Sequence, residues 1–259
     1  MRTITILVSA VLCAPVAFAA EGTFPVEEGF LSVGLDQMQR EREEEGGIDL
    51  IYVAPGALER IAKYDKFMID QPEIWIDADS DYRGTKPDNI KAIADLMRAN
   101  LTEKVINRGY EVVDEPGPDV MYMRVALTDL YLKKEKRGVW AYTPAGAVVQ
   151  VGADQVRNMM SKVDIIEMAI QMEWQDSVTE EVLGAIIIKR GARKDKATGQ
   201  KLTRYDFDHL RLEMQYYGAR MACRLDNARL PDAMEVDCEE IDALVDAGYL
   251  VLPDWYEPQ

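Results

Sequence analysis

Residues 163–189 read VDIIEMAIQMEWQDSVTEEVLGAIIIK and carry a strong signal for β structure. The first half of this stretch alternates between apolar and polar side chains, which predicts a strand with one buried face and one face in water. The apolar positions are Ile166, Met168, Ile170, Met172 and Trp174, and the polar positions are Glu167, Gln171 and Glu173. A turn at 176–180 and the apolar run Ile186–Ile188 follow, so residues 163–174 and 182–189 are predicted to pair as an antiparallel hairpin.

The residues before this hairpin predict further strands and one helix. A strand over 119–133 has Met121, Met123, Val125 and Leu127 on one face, and its alternation breaks near Asp129, which indicates a bulge. Apolar residues recur at helical spacing from Lys86 to Arg108. Shorter strand signals lie at 110–113 and at 66–76, where Pro72 predicts a bend or a sheet edge.

The residues after the hairpin predict helices. Residues 207–225 form one long amphipathic pattern, and 239–247 form a short one. Helices and strands in this order predict an α+β fold, with a mixed, mostly antiparallel sheet of about five or six strands and helices packed on one face.

The N-terminus has the pattern of a secretory signal peptide. Arg2 precedes an apolar run over residues 4–16, and Ala17-Phe18-Ala19 supplies a small-residue cleavage site, so residues 1–19 are predicted to be removed and the protein to be periplasmic. A retained anchor and lipidation of Cys13 at the outer membrane are the alternatives. The bulky Leu12 disfavours lipidation, because lipoprotein cleavage sites have a small residue such as Gly or Ala immediately before the cysteine.

The rest of the chain divides into three predicted parts. Residues 20–50 are polar, with the charge run 41–45, and predict an N-terminal arm. Residues 51–227 are the α/β domain, and 228–259 are an acidic C-terminal extension. No later apolar stretch has the length of a membrane helix, so no transmembrane segment is expected in the mature chain.

The charge balance argues against nucleic acid as a partner. The formal net charge is −16. Removing residues 1–19 removes Arg2 and no acidic residue, which leaves −17. A strongly acidic chain repels a phosphate backbone at long range.

Cys223 and Cys238 are the two cysteines that remain after signal cleavage. In an oxidising compartment they are predicted to form a disulfide, which would stabilise the fold by about 3 kcal/mol on the chain-entropy model. The alternative is two buried thiols.

A cluster of carboxylates resembles a calcium-binding loop. Asp77, Asp79 and Asp81 alternate, and Asp88 is twelfth in the count that begins at Asp77. The sixth position, where an EF-hand needs glycine, is Tyr82, so only weak calcium binding is predicted. A turn followed by a helix N-terminus accounts for the same residues.

The sequence contains no assembled catalytic set, and no cofactor is predicted. His209 is the only histidine, and no Gly-x-Ser-x-Gly motif occurs. One histidine and two cysteines also fall short of a usual zinc site. Glu167 and Glu173 on one strand face leave a carboxylate-dependent hydrolase of an envelope saccharide as an alternative.

A basic stretch is the predicted interaction site. Its opposite charge to the acidic body would suit an envelope protein or an anionic envelope polymer, although a solvated hairpin tip is the plainer interpretation. Its residues are Lys189, Arg190, Arg193, Lys194, Lys196 and Lys201.

Three segments carry a resemblance to a known family: Tyr52-Val53-Ala54-Pro55-Gly56 followed by Tyr64-Asp65-Lys66, Asp114–Val120 leading into Arg124–Asp129, and the turn at 176–179 with Leu183 and Ala185. Over about Ile51 to Asn227 the chain resembles the family of bacterial envelope proteins known as domain of unknown function 3313. The resemblance implies an exported protein, often a lipoprotein, and it implies no activity and no catalytic residues. Glu180-Glu181 departs from the pattern, where a glycine is expected in the turn.

Together these patterns favour a non-enzymatic binding or accessory protein of the bacterial envelope. The saccharide hydrolase and a weak calcium-dependent binding module remain as alternatives.

Overall fold

The computed structural model describes residues 26–44, 47–81, 86–134, 163–191, 207–230 and 234–252. The predicted signal peptide lies outside these residues, as do Gly138–Met160 and four members of the predicted basic stretch, Arg193, Lys194, Lys196 and Lys201.

The protein has the predicted α+β fold, and the predicted hairpin is present. The strands are β1 (Gln39–Glu44), β2 (Gly47–Val53), β3 (Lys66–Ile69), β4 (Glu73–Ile76), β5 (Glu111–Val112), β6 (Val120–Lys134), β7 (Val163–Asp176) and β8 (Val182–Gly191). The helices are α1 (Ala57–Ile61), α2 (Pro87–Asn107), α3 (Phe207–Asn227) and α4 (Ile241–Asp246).

The strands form one mixed sheet in the order β1-β2-β8-β7-β6-β3-β5, and β4 also pairs with β6. The neighbouring strands β1, β2, β8, β7 and β6 pair antiparallel. Strand β3 pairs parallel with β5 and β6, and β4 pairs parallel with β6. The sheet has eight strands, more than predicted. The extra strands arise because residues predicted as an arm supply β1 and the first four residues of β2, and because the segment 66–76 is divided around Pro72.

Strand β6 contains the predicted irregularity at Asp129. Met121, Met123, Val125 and Leu127 are all buried on one face, as expected. The pairing of β6 with β7 then shifts between Thr128 and Tyr131. Asp129 has a φ of 51° there, a left-handed conformation that few residues other than glycine adopt.

Helices α2 and α3 cover this apolar face, which we call the helix face. Met97, Leu101 and Val105 of α2 and Met214 and Met221 of α3 pack in one core with the buried residues of β6 and β7. Their spacing places them on the inner side of each helix, where burial of apolar side chains supplies the main stabilisation.

The opposite face of the sheet is covered by residues 26–34, which we call the strap. Sequence periodicity predicted water on this face, and for its central residues that prediction is wrong: Gln171 is 1% exposed and Glu173 is 0% exposed. The Ser32 N–H and hydroxyl both donate to Glu173, at 2.6 and 2.9 Å. The Gln171 amide donates to the Glu27 carbonyl at 2.8 Å.

Phe30 fixes the middle of the strap. Its ring is 3% exposed, and the Arg124 guanidinium lies 4.8 Å from its centroid. The same guanidinium donates to the Phe30 carbonyl at 3.1 Å and to Glu173 at 2.9 Å. Arg124 therefore joins the strap to the sheet through both a ring contact and charge-assisted hydrogen bonds.

The turn between β7 and β8 shows why a glycine is expected there. Glu180 has a φ of 59° and donates its N–H to the Asp176 carbonyl at 2.9 Å. The left-handed conformation costs a residue with a Cβ about 1 kcal/mol, a cost that glycine avoids.

The predicted disulfide between Cys223 and Cys238 is present, with the two Cα atoms 5.7 Å apart. It joins α3 to the segment that carries α4, whose buried residues form a second small core with Ala219 and Ala222. Among the described helices, none combines the length and the apolar character that a membrane span requires.

Candidate functional site

The candidate site is a cleft between the β2 and β8 end of the sheet and the C-terminal half of α3. It holds about 800 Å³ of space, including its opening to solvent. Its floor is apolar, with Met121, Leu183, Ile186, Ile188, Met221 and Leu225 among the lining residues. Val53 and Leu58 also line it and remain 46% and 59% exposed. A mostly apolar cleft with a few polar groups is the usual form of a small-molecule site.

Gly184 shapes one wall of the cleft. A Cβ atom at this position would lie 3.2 Å from the Tyr52 carbonyl oxygen and 3.7 Å from Cε3 of Trp174. The missing side chain lets β2 approach β8 closely and leaves space for the indole of Trp174 on the facing strand. The indole Nε1 is buried and has no hydrogen-bond partner among the described residues.

A network of ion pairs forms the polar wall. Asp49 of β2 is 2% exposed and accepts from Arg190 at 2.7 Å and from Arg220 at 3.2 Å. Charged groups buried this deeply persist in folded proteins when they are paired and hydrogen-bonded, as these are. The network therefore joins β2 and β8 to α3 behind the cleft.

Two further acids complete the network at its solvent side. Glu41 contacts Arg220 at 3.4 Å and Arg224 at 2.7 Å. Glu239 contacts Arg220 and also lies 2.5 Å from Arg224. Because Cys238 is bonded to α3, its neighbour Glu239 is held beside these arginines.

Tyr217 lies between this network and the apolar core. Burial, and then the negative charge of Glu213, raise the pKa of Tyr217 well above its ordinary value. Its hydroxyl accepts a hydrogen bond from Arg190 and keeps its proton near neutral pH. Tyr217 thus acts as a neutral polar contact at the edge of the cleft.

Lys189 and Arg190 were predicted to begin an exposed basic stretch, and the structure corrects this placement. Both lie within β8 and are 1% and 2% exposed. Lys189 contacts Asp129 at 3.0 Å and Glu167 at 2.6 Å, on the strap face. Arg190 belongs to the network of Asp49. Their charges are paired with acids inside the fold. The other residues of the predicted interaction site lie outside the described residues: Arg193, Lys194, Lys196 and Lys201.

Two carboxylates of the predicted calcium loop, those of Asp77 and Asp81, have other partners in the described part. The Asp79 N–H donates to Asp77 at 2.7 Å, and Asp81 lies 3.9 Å from Lys133. Asp88 is in the first turn of α2. No group of three or more Asp, Glu, His or Cys side chains within the described ranges could hold a metal ion. Residues 82–85 of the loop lie outside those ranges, so calcium binding stays a prediction.

Glu167 and Glu173 do not form the carboxylate pair of a glycosidase. Six residues along one strand separate them by about 20 Å, whereas such pairs lie roughly 5 to 10 Å apart. The oxygens of Glu173 are occupied by Ser32, Arg124 and Gln175. Glu173 instead attaches the strap to the sheet, and Glu167 pairs with Lys189 of the neighbouring strand β8.

Sequence reasoning missed the cleft, although two signals for it were present. An isolated glycine in an apolar strand, Gly184, is typical of close backbone approach. Arg220 and Arg224 are four residues apart on an amphipathic helix, which places both guanidinium groups on one side. Their acidic partners come from segments 171 and 19 residues distant from Arg220 in the chain, and no local pattern reveals those contacts.

Comparison with known proteins gives a family and little beyond it. The family model described as a protein of unknown function (DUF3313) matches residues 26–210. Among curated proteins, none matches the chain significantly.

Two solved structures share weak similarity with the chain. They are a PelC dodecamer that carries a single leucine-to-methionine substitution and a PelC dodecamer without it, both from Paraburkholderia phytofirmans. The first is 14% identical, with a TM-score of 0.30, and the match covers 57% of this chain and 81% of that one. The second is 11% identical, with a TM-score of 0.26, and covers 51% and 74%. Similarity at this level carries no functional argument.

Proposed function

Because the chain belongs to the DUF3313 family of proteins of unknown function, no activity comes with the family, and we propose that it is a non-enzymatic binding protein of the bacterial envelope. It is exported by its signal peptide to the periplasm, and its ligand enters the cleft between β2, β8 and α3. The observation that carries the proposal is the pair Val53 and Leu58, exposed at the mouth of a cleft with an apolar floor.

The chemistry of the cleft supports binding over catalysis. Asp49 and Glu41, the two carboxylates that line it, are each engaged by two guanidinium groups. A catalytic acid or base needs an oxygen that is free to reach the substrate. The apolar floor offers contacts that favour a ligand with hydrocarbon surface, since burying such surface contributes about 25 cal/mol per Å².

A fluorescent apolar probe tests binding at the cleft. N-phenyl-1-naphthylamine becomes brighter in an apolar environment, and we expect saturable enhancement with the mature protein. Leu58→Asn should weaken probe affinity several-fold because it places an amide at the mouth. Val178→Asn is the matched control, since Val178 is 60% exposed and does not line the cleft. No saturable signal, or an equal loss in both variants, would contradict the proposal.

Export is tested separately by cell fractionation and intact-mass measurement. We expect a periplasmic protein that begins at Ala20 and carries the Cys223–Cys238 disulfide. Recovery of the uncleaved chain from the cytosol would remove the envelope part of the proposal and leave the cleft untouched.

A further inference from the structure

Two hydrogen-bond donors among the residues that line the cleft lack an acceptor. They are Nε of Arg220 and Nε1 of Trp174, and both atoms are buried without a partner among the described residues. The Arg220 side chain is only 5% exposed, so solvent does not replace the missing acceptor. A buried donor without a partner carries a free-energy cost that a suitable ligand removes.

The unpaired buried polar atoms that line the cleft are both hydrogen-bond donors. Among the described residues, the one unpaired buried side-chain atom that is an acceptor is Asn100 Oδ1, and Asn100 does not line this cleft. A ligand that complements the cleft must therefore bring acceptors. The Arg220 guanidinium is also charged, which favours an anionic acceptor over a neutral one.

The acids beside Arg220 and Arg224 can be displaced. The side chains of Glu41 and Glu239 are 27% and 44% exposed, so water already solvates part of each carboxylate. Arg224 is 32% exposed and accessible from the mouth. An incoming carboxylate can replace one of these acids on the guanidinium groups, and the displaced acid regains full hydration, so the exchange leaves no buried charge unpaired.

We infer that the cleft binds a fatty carboxylate, with its aliphatic chain on the apolar floor and its head group on Arg220 and Arg224. This inference rests on the proposed function, because it names the class of ligand for the same site. The chain supplies apolar contact area, and the carboxylate supplies the acceptor that the cleft lacks.

The test compares three amphiphiles that share a dodecyl-type chain and differ in the head group. Isothermal titration calorimetry with the mature protein, below micelle concentrations, measures dodecanoate, dodecyl maltoside and dodecyltrimethylammonium. We expect dodecanoate to bind about tenfold more tightly than the cationic amphiphile, the size of one charge-assisted hydrogen bond.

Variants assign the head-group contact. Arg224→Gln should reduce the affinity for dodecanoate by roughly three- to tenfold, a modest loss because the exposed guanidinium is partly screened by solvent. The affinity for dodecyl maltoside should stay unchanged, because its head group carries no charge. Arg220→Lys keeps the charge and removes the Nε–H, and it should reduce the preference for dodecanoate. Lys91→Gln is the control for net charge, since Lys91 is 73% exposed and pairs with Asp95 on α2. Thermal unfolding checks that each variant is folded.

The outcomes separate the two proposals. If none of the three amphiphiles binds, the proposed function fails and this inference fails with it. If all three bind with equal affinity, the cleft is an apolar site and the fatty-carboxylate inference is overturned. An equal loss of dodecanoate affinity in Lys91→Gln and Arg224→Gln would also overturn it, because the effect would then be one of net charge.

Discussion

The two faces of the sheet are both buried, but by different chemistry. The helix face is apolar, with Met123 and Leu127 packed against α2 and α3. The strap face buries Gln171, Glu173 and Lys189, whose polar atoms contact the strap or other strands. Alternation along a strand therefore separates two faces by polarity, and it does not say which of them meets water.

The largest expected effect tests the helix face. Leu127→Ala should lower the free energy of unfolding by about 3 kcal/mol, because it removes buried methyl groups and leaves a cavity. Urea unfolding followed by circular dichroism measures it. Val178→Ala, at an exposed turn position, is the control and should change stability by less than about 0.5 kcal/mol. Similar values for both variants would remove the distinction between core and surface on this side.

The next effect tests the strap face. Glu173→Gln should cost about 2 kcal/mol, since it weakens the charge-assisted bond from Arg124 and turns an amide donor toward groups that donate. Limited proteolysis should then cut within residues 26–34 faster than in the unmodified protein. Glu59→Gln, on the exposed side of α1, is the control. Unchanged stability and unchanged cleavage would mean that the strap does not depend on Glu173.

A smaller effect compares two residues with the same backbone conformation. Glu180→Gly should raise the free energy of unfolding by about 1 kcal/mol, because glycine removes the Cβ strain in the β7–β8 turn. Asp129→Gly relieves the same strain on the strap face but should destabilise the protein. Asp129 accepts from the Glu27 N–H and from Lys189, each at 3.0 Å. Chemical denaturation of both variants checks the opposite signs.

The smallest effect is on tyrosine ionisation. Burial, and then the hydrogen bond to Asp70, raise the pKa of Tyr122 to about 12. Burial also raises the pKa of Tyr110, on the helix face, to about 12. A pKa raised in the folded state favours the protonated form, so this contribution to stability is present below about pH 10 and lost as the pH rises toward 12.

The variant Asp70→Asn separates the two tyrosines. It should lower the pKa of Tyr122 toward its ordinary value and leave that of Tyr110 unchanged, as measured by tyrosinate absorbance during alkaline titration. A single shared transition that moves as a whole in the variant would contradict this assignment.

The sequence predicted those features that depend on residues close together in the chain. Helical spacing gave α2 within a residue at each end, and alternation gave the hairpin of β7 and β8 and the irregularity at Asp129. The spacing of Cys223 and Cys238, with the predicted compartment, gave the disulfide. In each case the decisive residues lie close together in the chain.

Contacts between residues distant in the chain could not be predicted from local sequence patterns. The charge run at 41–45 is the signature of a solvated segment, yet Glu41 lies in an edge strand and pairs with arginines of α3. Ser32 meets Glu173 across 141 positions of the chain. Lys189 and Arg190 look like the start of a basic loop because the acids that neutralise them are in other strands.

The position of the strap has a practical consequence for anyone producing this protein. A shortened chain that starts at residue 51 would keep the three segments that resemble the family. It would lose β1, most of β2 and the strap that covers Glu173 and Gln171. Such a product would expose an unpaired sheet edge along β8, which invites aggregation.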